Sequence, residues 1–144
     1  MVIPDVNVAI AAFRPDHPHH GPMRRWLTTA ASSGNMPLGV VDFVLSAMIR
    51  ITTNPAFMAS PATVTDALKF ADTLRGSPAA VSVSPGDRHW SIFHTLCIET
   101  GATGNRVPHA YLASIAIEAG AGFATAGLGF RRFPGLRLVS PLTA

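Results

Sequence analysis

The feature that most restricts the fold is the opening stretch MVIPDVNVAIAAF, residues 1–13, because its hydrophobic pattern changes from strand to helix around a single carboxylate. Val2 and Ile3 are strand formers, and Pro4 fits only where no ladder N–H is required. Ala9, Ala11, Ala12 and Phe13 then favour a helix. Asp5 sits at the switch. In open α/β sheets the crevice beyond the carboxyl ends of parallel strands is where ligands bind, so an acid at this point is suited to a metal or phosphate site. A helix N-cap accounts for the same residue equally well, since aspartate satisfies the orphan N–H groups of a first turn.

The same alternation continues along the chain. Met23, Trp26, Leu27 and Ala30 recur at helical spacing, with Gly34 as a stop. His17, His19 and His20 precede that helix, but interleaved prolines and the absence of an i, i+4 spacing make them a polar loop and not a metal cluster. MPLGVV, residues 36–41, is a short buried strand. Asp42 follows it at the start of a helix that turns Val44, Leu45, Met48 and Ile49 inward and ends at Asn54-Pro55. Ser60-Pro61 predicts an N-cap and first helical position, with Val64, Leu68 and Ala71 as the buried stripe up to Gly76. Residues 79–84, AAVSVS, alternate as a strand. Asp87 is the expected cap of a helix that buries Trp90, Phe93 and Cys97. The next helix carries Pro108 and His109 in its first turn, packs Leu112, Ile115 and Ala116 inward and stops at Gly120. GFATA and LRLVS are short strands around GLGFRRFPG. Strands alternating with helices predict a three-layer α/β/α sandwich with a mainly parallel sheet.

A chain of 144 residues with 48% hydrophobic content is expected to form one domain, 1–144, with a substantial core. The lack of a long apolar run or a basic leader makes a cytoplasmic protein the expectation. A single cysteine, Cys97, excludes an internal disulfide framework and a cysteine-based zinc cage. The formal charge of +3 is carried almost wholly by arginine and selects for no particular partner. There is no P-loop, and GLGF at residues 127–130 is too short for a dinucleotide fingerprint.

In order along the chain, IPDVNV, DHPHHGPMRRWL, VLSAMIRITTNP and TGNRVPHAYLASIAIEAGAGFATAGLGFRRFPGLRLVSPL resemble the PIN-domain ribonucleases of the VapC toxin class, over essentially the whole length. The resemblance implies that Asp5 is the family's first acid and Asp42 its second, both catalytic and metal-binding. His109 stands at the third acid position as a further metal ligand, and Gly127 at the fourth, where an aspartate is expected. Gly129, another frequent acid position, is also neutral. Asn7 and Thr125 match supporting polar residues of the family.

The implied activity is magnesium- or manganese-dependent hydrolysis of RNA phosphodiester bonds by the toxin of a type II toxin–antitoxin system. Its partners would be an antitoxin that blocks the site, an RNA substrate and a second copy in a homodimer, with no membrane. Several acids suit this chemistry because Mg²⁺ prefers hard oxygen ligands and generates a nucleophile from bound water. Two acids offset only half the charge of two such ions, so a single weakly held ion is expected. The alternative is an inactive homologue that binds antitoxin or RNA.

Overall fold

The computed structural model describes residues 1–32 and 35–142, so the helix stop expected at Gly34 lies outside the described residues. The chain runs β1 (Val2–Pro4), α1 (Val6–Phe13), α2 (His20–Ser32), β2 (Leu38–Val40), α3 (Asp42–Thr52), α4 (Val64–Arg75), β3 (Ala80–Ser82), α5 (His89–Thr100), α6 (Arg106–Ala119), β4 (Gly122–Ala124), a 3₁₀ turn (Leu128–Arg132) and β5 (Arg137–Val139). The strands form one parallel sheet in the order β3-β2-β1-β4-β5. Chain order moves from β1 through β2 to β3 and then returns to the other side of β1 for β4. The topological switch therefore falls between β1 and β4, where open α/β sheets bind ligands.

Burial explains this order. The inner strands β1, β2 and β4 are buried at every position, whereas β3 and β5, at the two edges, are largely exposed. Alternation across the pleat separates two cores. Ile3 and Phe123 face α5 and α6 with Leu96, Leu112 and Ile115, while Val2 and Ala124 belong with Leu27, Leu38, Leu45 and Met48 under α1 to α4. Helices on both faces of a parallel sheet make the expected three layers. Gly39 lets β2 approach this centre: a Cβ there would lie 2.7 Å from Ile3 Cγ1.

Several local expectations shift. The cap of α4 is Thr63, whose side chain accepts from Asp66 N–H at 3.1 Å, because the Ser60 carbonyl is held by the Arg14 guanidinium at 2.7 Å and the segment stays extended. The buried stripe of α4 is consequently Ala67, Ala71 and Leu74, leaving Val64 and Leu68 exposed. Asp87 does not cap α5. Instead the Glu118 carboxylate, reaching across from α6, accepts from Gly86 N–H at 2.7 Å and Arg88 N–H at 2.9 Å. Trp90 is 67% exposed because α5 turns His89 and Leu96 inward, and Cys97 is only partly buried against the core. Gly120 ends α6 as expected, in the left-handed conformation with φ 65°. His17 and His19 form a local loop in which His19 N–H donates to His17 Nδ1 at 3.0 Å, and His20 Nδ1 contacts the Ala11 carbonyl at 2.8 Å. Among the described residues no helix is long and apolar enough to cross a membrane.

Candidate active site

Asp5 and Thr125 end up side by side because β1 and β4 are neighbours in register. Asp5 N–H continues the ladder to the Ala124 carbonyl at 2.8 Å, and Thr125 N–H bonds to the Val139 carbonyl at 3.1 Å. Immediately after each strand the chain turns outward, so both side chains stand at the carboxyl end of the sheet. Asp5 Oδ1 accepts from Val6 N–H at 2.7 Å, which makes it the N-cap of α1. Its Oδ2 accepts from Thr125 Oγ1 at 2.7 Å. Thr125 Oγ1 in turn accepts from Asn7 Nδ2 at 3.1 Å and Gly127 N–H at 2.9 Å. The capping and functional readings are therefore compatible: one oxygen caps the helix while the network fixes the other.

Asp5 is only 5% exposed. Burial pushes its carboxyl above the usual range, and the Thr125 and Val6 hydrogen bonds, with the nearby His109, pull in the opposite direction. Among the described residues no side-chain cation forms an ion pair with this carboxylate, so a positive group brought beside it would stabilise it.

It borders a depression of about 500 Å³ whose polar lining is Asp5, Asn7, Ser46, Arg50, Asn105 and His109. His109 reaches it from the first turn of α6, its ring packed 4.6 Å from that of Phe130. Gly127 and Gly129 border the same groups. A Cβ on Gly127 would lie 3.3 Å from both Asn7 Nδ2 and Thr125 Oγ1, and one on Gly129 would lie 3.5 Å from His109 Nδ1.

Asp42 does not line this depression. It lies in a neighbouring shallow one, which shares Ser46 with it, beside Leu45, Ile49, Leu68 and Asp72, and its carboxylate takes Arg75 Nε at 3.0 Å. The reason is helical phase: Phe43, Ser46, Ala47 and Arg50 form the stripe of α3 turned to Asp5, and position 42 falls on the neighbouring stripe facing α4. The polar groups that α3 does contribute, Ser46 and Arg50, together with Asn105 from the loop before α6, were not singled out from sequence. The i, i+4 spacing of Ser46 and Arg50 was the available signal.

No family model matches the chain. Ribonuclease VapC43 of Mycobacterium tuberculosis is 39% identical over 142 residues, covering 99% of this chain and 96% of the relative. Ribonuclease VapC25 of the same species is 33% identical over 141 residues, covering 98% and 99%. Among solved structures, VapBC2 from Rickettsia felis bound to a promoter DNA fragment aligns with a TM-score of 0.72 at 19% identity, over 97% of this chain and 98% of that one. The M. tuberculosis toxin VapC20, described as cleaving the sarcin–ricin loop, aligns with a TM-score of 0.62 at 15% identity, over 95% and 99%. These two structural likenesses establish a PIN-type fold.

Proposed function

Because the chain belongs to the VapC ribonuclease family, we propose that it is the toxin of a type II toxin–antitoxin pair, an endoribonuclease that hydrolyses RNA phosphodiester bonds at the Asp5 depression. The observation that carries this reading is a buried carboxylate, fixed by Val6 and Thr125, at the topological switch of a parallel sheet. An RNA target makes the cytoplasm its working compartment.

The donor set decides how much metal the site accommodates. Among the described residues no group of three or more His, Cys, Asp or Glu side chains is arranged to hold an ion, and Asp42 is paired elsewhere. One carboxylate and one imidazole do not fit a pair of Mg²⁺ ions. They fit a single ion held by Asp5 and His109 with water in the remaining positions, and the nitrogen ligand favours Mn²⁺ over Mg²⁺. Such an ion, when bound, supplies a Lewis acid for the phosphoryl group and lowers the pKa of water.

The chain's own residues do the rest. Thr125 and Asn7 hold Asp5 in one orientation. Arg50, whose guanidinium has no hydrogen-bond or ion-pair partner among the described residues, binds a phosphate oxygen of the substrate and offsets charge that the missing acids' metal would otherwise neutralise. Asn105 donates to the same phosphate from the opposite wall. An antitoxin would block the site by seating a cationic side chain against Asp5, as a metal does.

The test is RNA cleavage by the purified chain with Mg²⁺, Mn²⁺ or chelator, beside Asp5→Ala. Metal-dependent cleavage that the variant lacks supports the proposal; equal cleavage by both would sink it. The single carboxylate also favours a second reading, an inactive homologue that only binds antitoxin or RNA. Calorimetry that finds no Mn²⁺ binding at millimolar ion, together with no cleavage, would select that one.

A further inference from the structure

Four aromatic rings run in series from the rim of the Asp5 depression across α3, α6 and α5. Phe43 lines the depression and is 44% exposed. Its ring centroid lies 5.3 Å from Tyr111, Tyr111 lies 5.7 Å from Phe93, and Phe93 lies 5.4 Å from Trp90 at the exposed end. The row is rigid from beneath. Buried His89 stacks parallel to Phe93 at 6.1 Å, meets Tyr111 edge-on at 4.5 Å and bonds through Nε2 to the Tyr111 carbonyl at 3.0 Å. Tyr111 and Phe93 are half-buried, packed on one side against the core.

We infer that this row is a stacking surface for the bases of single-stranded RNA, which it guides toward the Asp5 depression; the inference rests on the nuclease reading of that depression. Three observations name the occupant. The row is continuous with the depression through Phe43. Cations flank that end: Arg50 inside it and exposed Arg106 beside Asn105, neither guanidinium having a hydrogen-bond or ion-pair partner among the described residues. Rings in series with arginines at their edge suit a strand that presents flat bases on one side and phosphates on the other.

The test is binding of a short, uncleavable 2′-O-methyl RNA without metal, as a single strand and as a duplex, followed by tryptophan fluorescence. Trp26, partly buried on α2 under the opposite layer, supplies a constant background. The single strand should quench Trp90 and the duplex should not. Trp90→Leu and Phe43→Leu should each weaken binding about tenfold, the size of one lost base–ring stack, while Trp90→Tyr, which keeps a ring, retains most of the affinity. Trp90 is exposed, so melting curves of these variants should match the parent. Unchanged affinity in Trp90→Leu, or equal losses in Trp90→Leu and Trp90→Tyr, would overturn the inference. So would a change of molar mass by light scattering in Trp90→Leu at unaltered RNA affinity, which would assign the surface to contact between copies. Ring-dependent binding without any cleavage would sink the nuclease reading alone, and cleavage without ring-dependent binding would sink this one alone.

Discussion

Thr125→Val tests whether the network around Asp5 holds it as an anion. Thr125 Oγ1 donates to Asp5 Oδ2 at 2.7 Å and accepts from Asn7 Nδ2 at 3.1 Å and Gly127 N–H at 2.9 Å, so its proton and both lone pairs are in use. Valine keeps the shape and removes all three bonds. A hydrogen bond to an ionised group contributes about 1.5–3 kcal/mol; Asn7 and Gly127 sit at the partly open rim, recover water and add little. The expected loss near neutral pH is about 2 kcal/mol, or roughly 4–8 °C in Tm for a chain of this size.

The pH dependence has a definite sign. Burial raises Asp5 above its ordinary 3.8, and the Thr125 bond, which favours the ionised form, lowers it again. Without that bond Asp5 rises further. The gap between parent and variant is therefore full above the folded value in the variant and closes as pH falls through it, where Asp5 becomes neutral in both. In the parent alone, a raised folded value means that the stability linked to Asp5 is fully present below 3.8 and is lost as pH rises through the folded value. Urea denaturation of the parent, Thr125→Val and Thr125→Ser from about pH 4 to about pH 8 measures the difference, with serine restoring the hydroxyl. A gap that does not change with pH, or a valine variant as stable as the parent at the alkaline end, would refute the reasoning.

Asp5→Asn should abolish Mn²⁺ binding in calorimetry, together with any cleavage. It should also cost about 1–3 kcal/mol in urea, because its NH₂ would face a Thr125 hydroxyl whose acceptor positions are both taken. Asp42→Asn, removing an exposed pair with Arg75, should cost less than about 1 kcal/mol and leave Mn²⁺ affinity and RNA cleavage unchanged; a loss of either would return Asp42 to the site. The double change His109→Asp and Gly127→Asp adds two carboxylates beside Asn7, Thr125 and Asp5, and should raise Mn²⁺ affinity by about tenfold or more while lowering Tm in chelator; an unaltered metal-induced Tm shift would show that these positions do not serve an ion. Glu118→Gln should flatten the acid limb of stability. The Gly86 and Arg88 N–H groups hold Glu118 below its ordinary 4.5, so its contribution is present above that value and lost as pH falls through the folded one, and an unchanged acid limb would contradict the clamp.

Elements governed by local chemistry were legible in the sequence. The period change around Asp5 specified β1, the cap and α1; the left-handed Gly120 ended α6; strand–helix alternation specified a parallel sheet covered on both faces. The resemblance carried by IPDVNV and the C-terminal half also led to His109, Asn7 and Thr125, and the structure places these around Asp5. What the sequence left open depends on which flank of each helix meets which neighbour. Position 42 and position 46 lie one turn apart on α3, and both follow naturally from an apolar stripe at Val44, Leu45 and Met48. Only the packing of α3 between α1 and α4 turns Ser46 and Arg50 to the crevice and leaves Asp42 to Arg75. Likewise, Trp90 has the spacing of a core residue, yet α5 turns His89 and Leu96 to the core and leaves Trp90 exposed. The bond between Asp5 and Thr125 joins residues 120 positions apart, so it exists only because β4 returns to lie beside β1. Periodicity is a property of one element, whereas a site belongs to the contacts between elements, and those are fixed when the sheet order and the two cores are satisfied together.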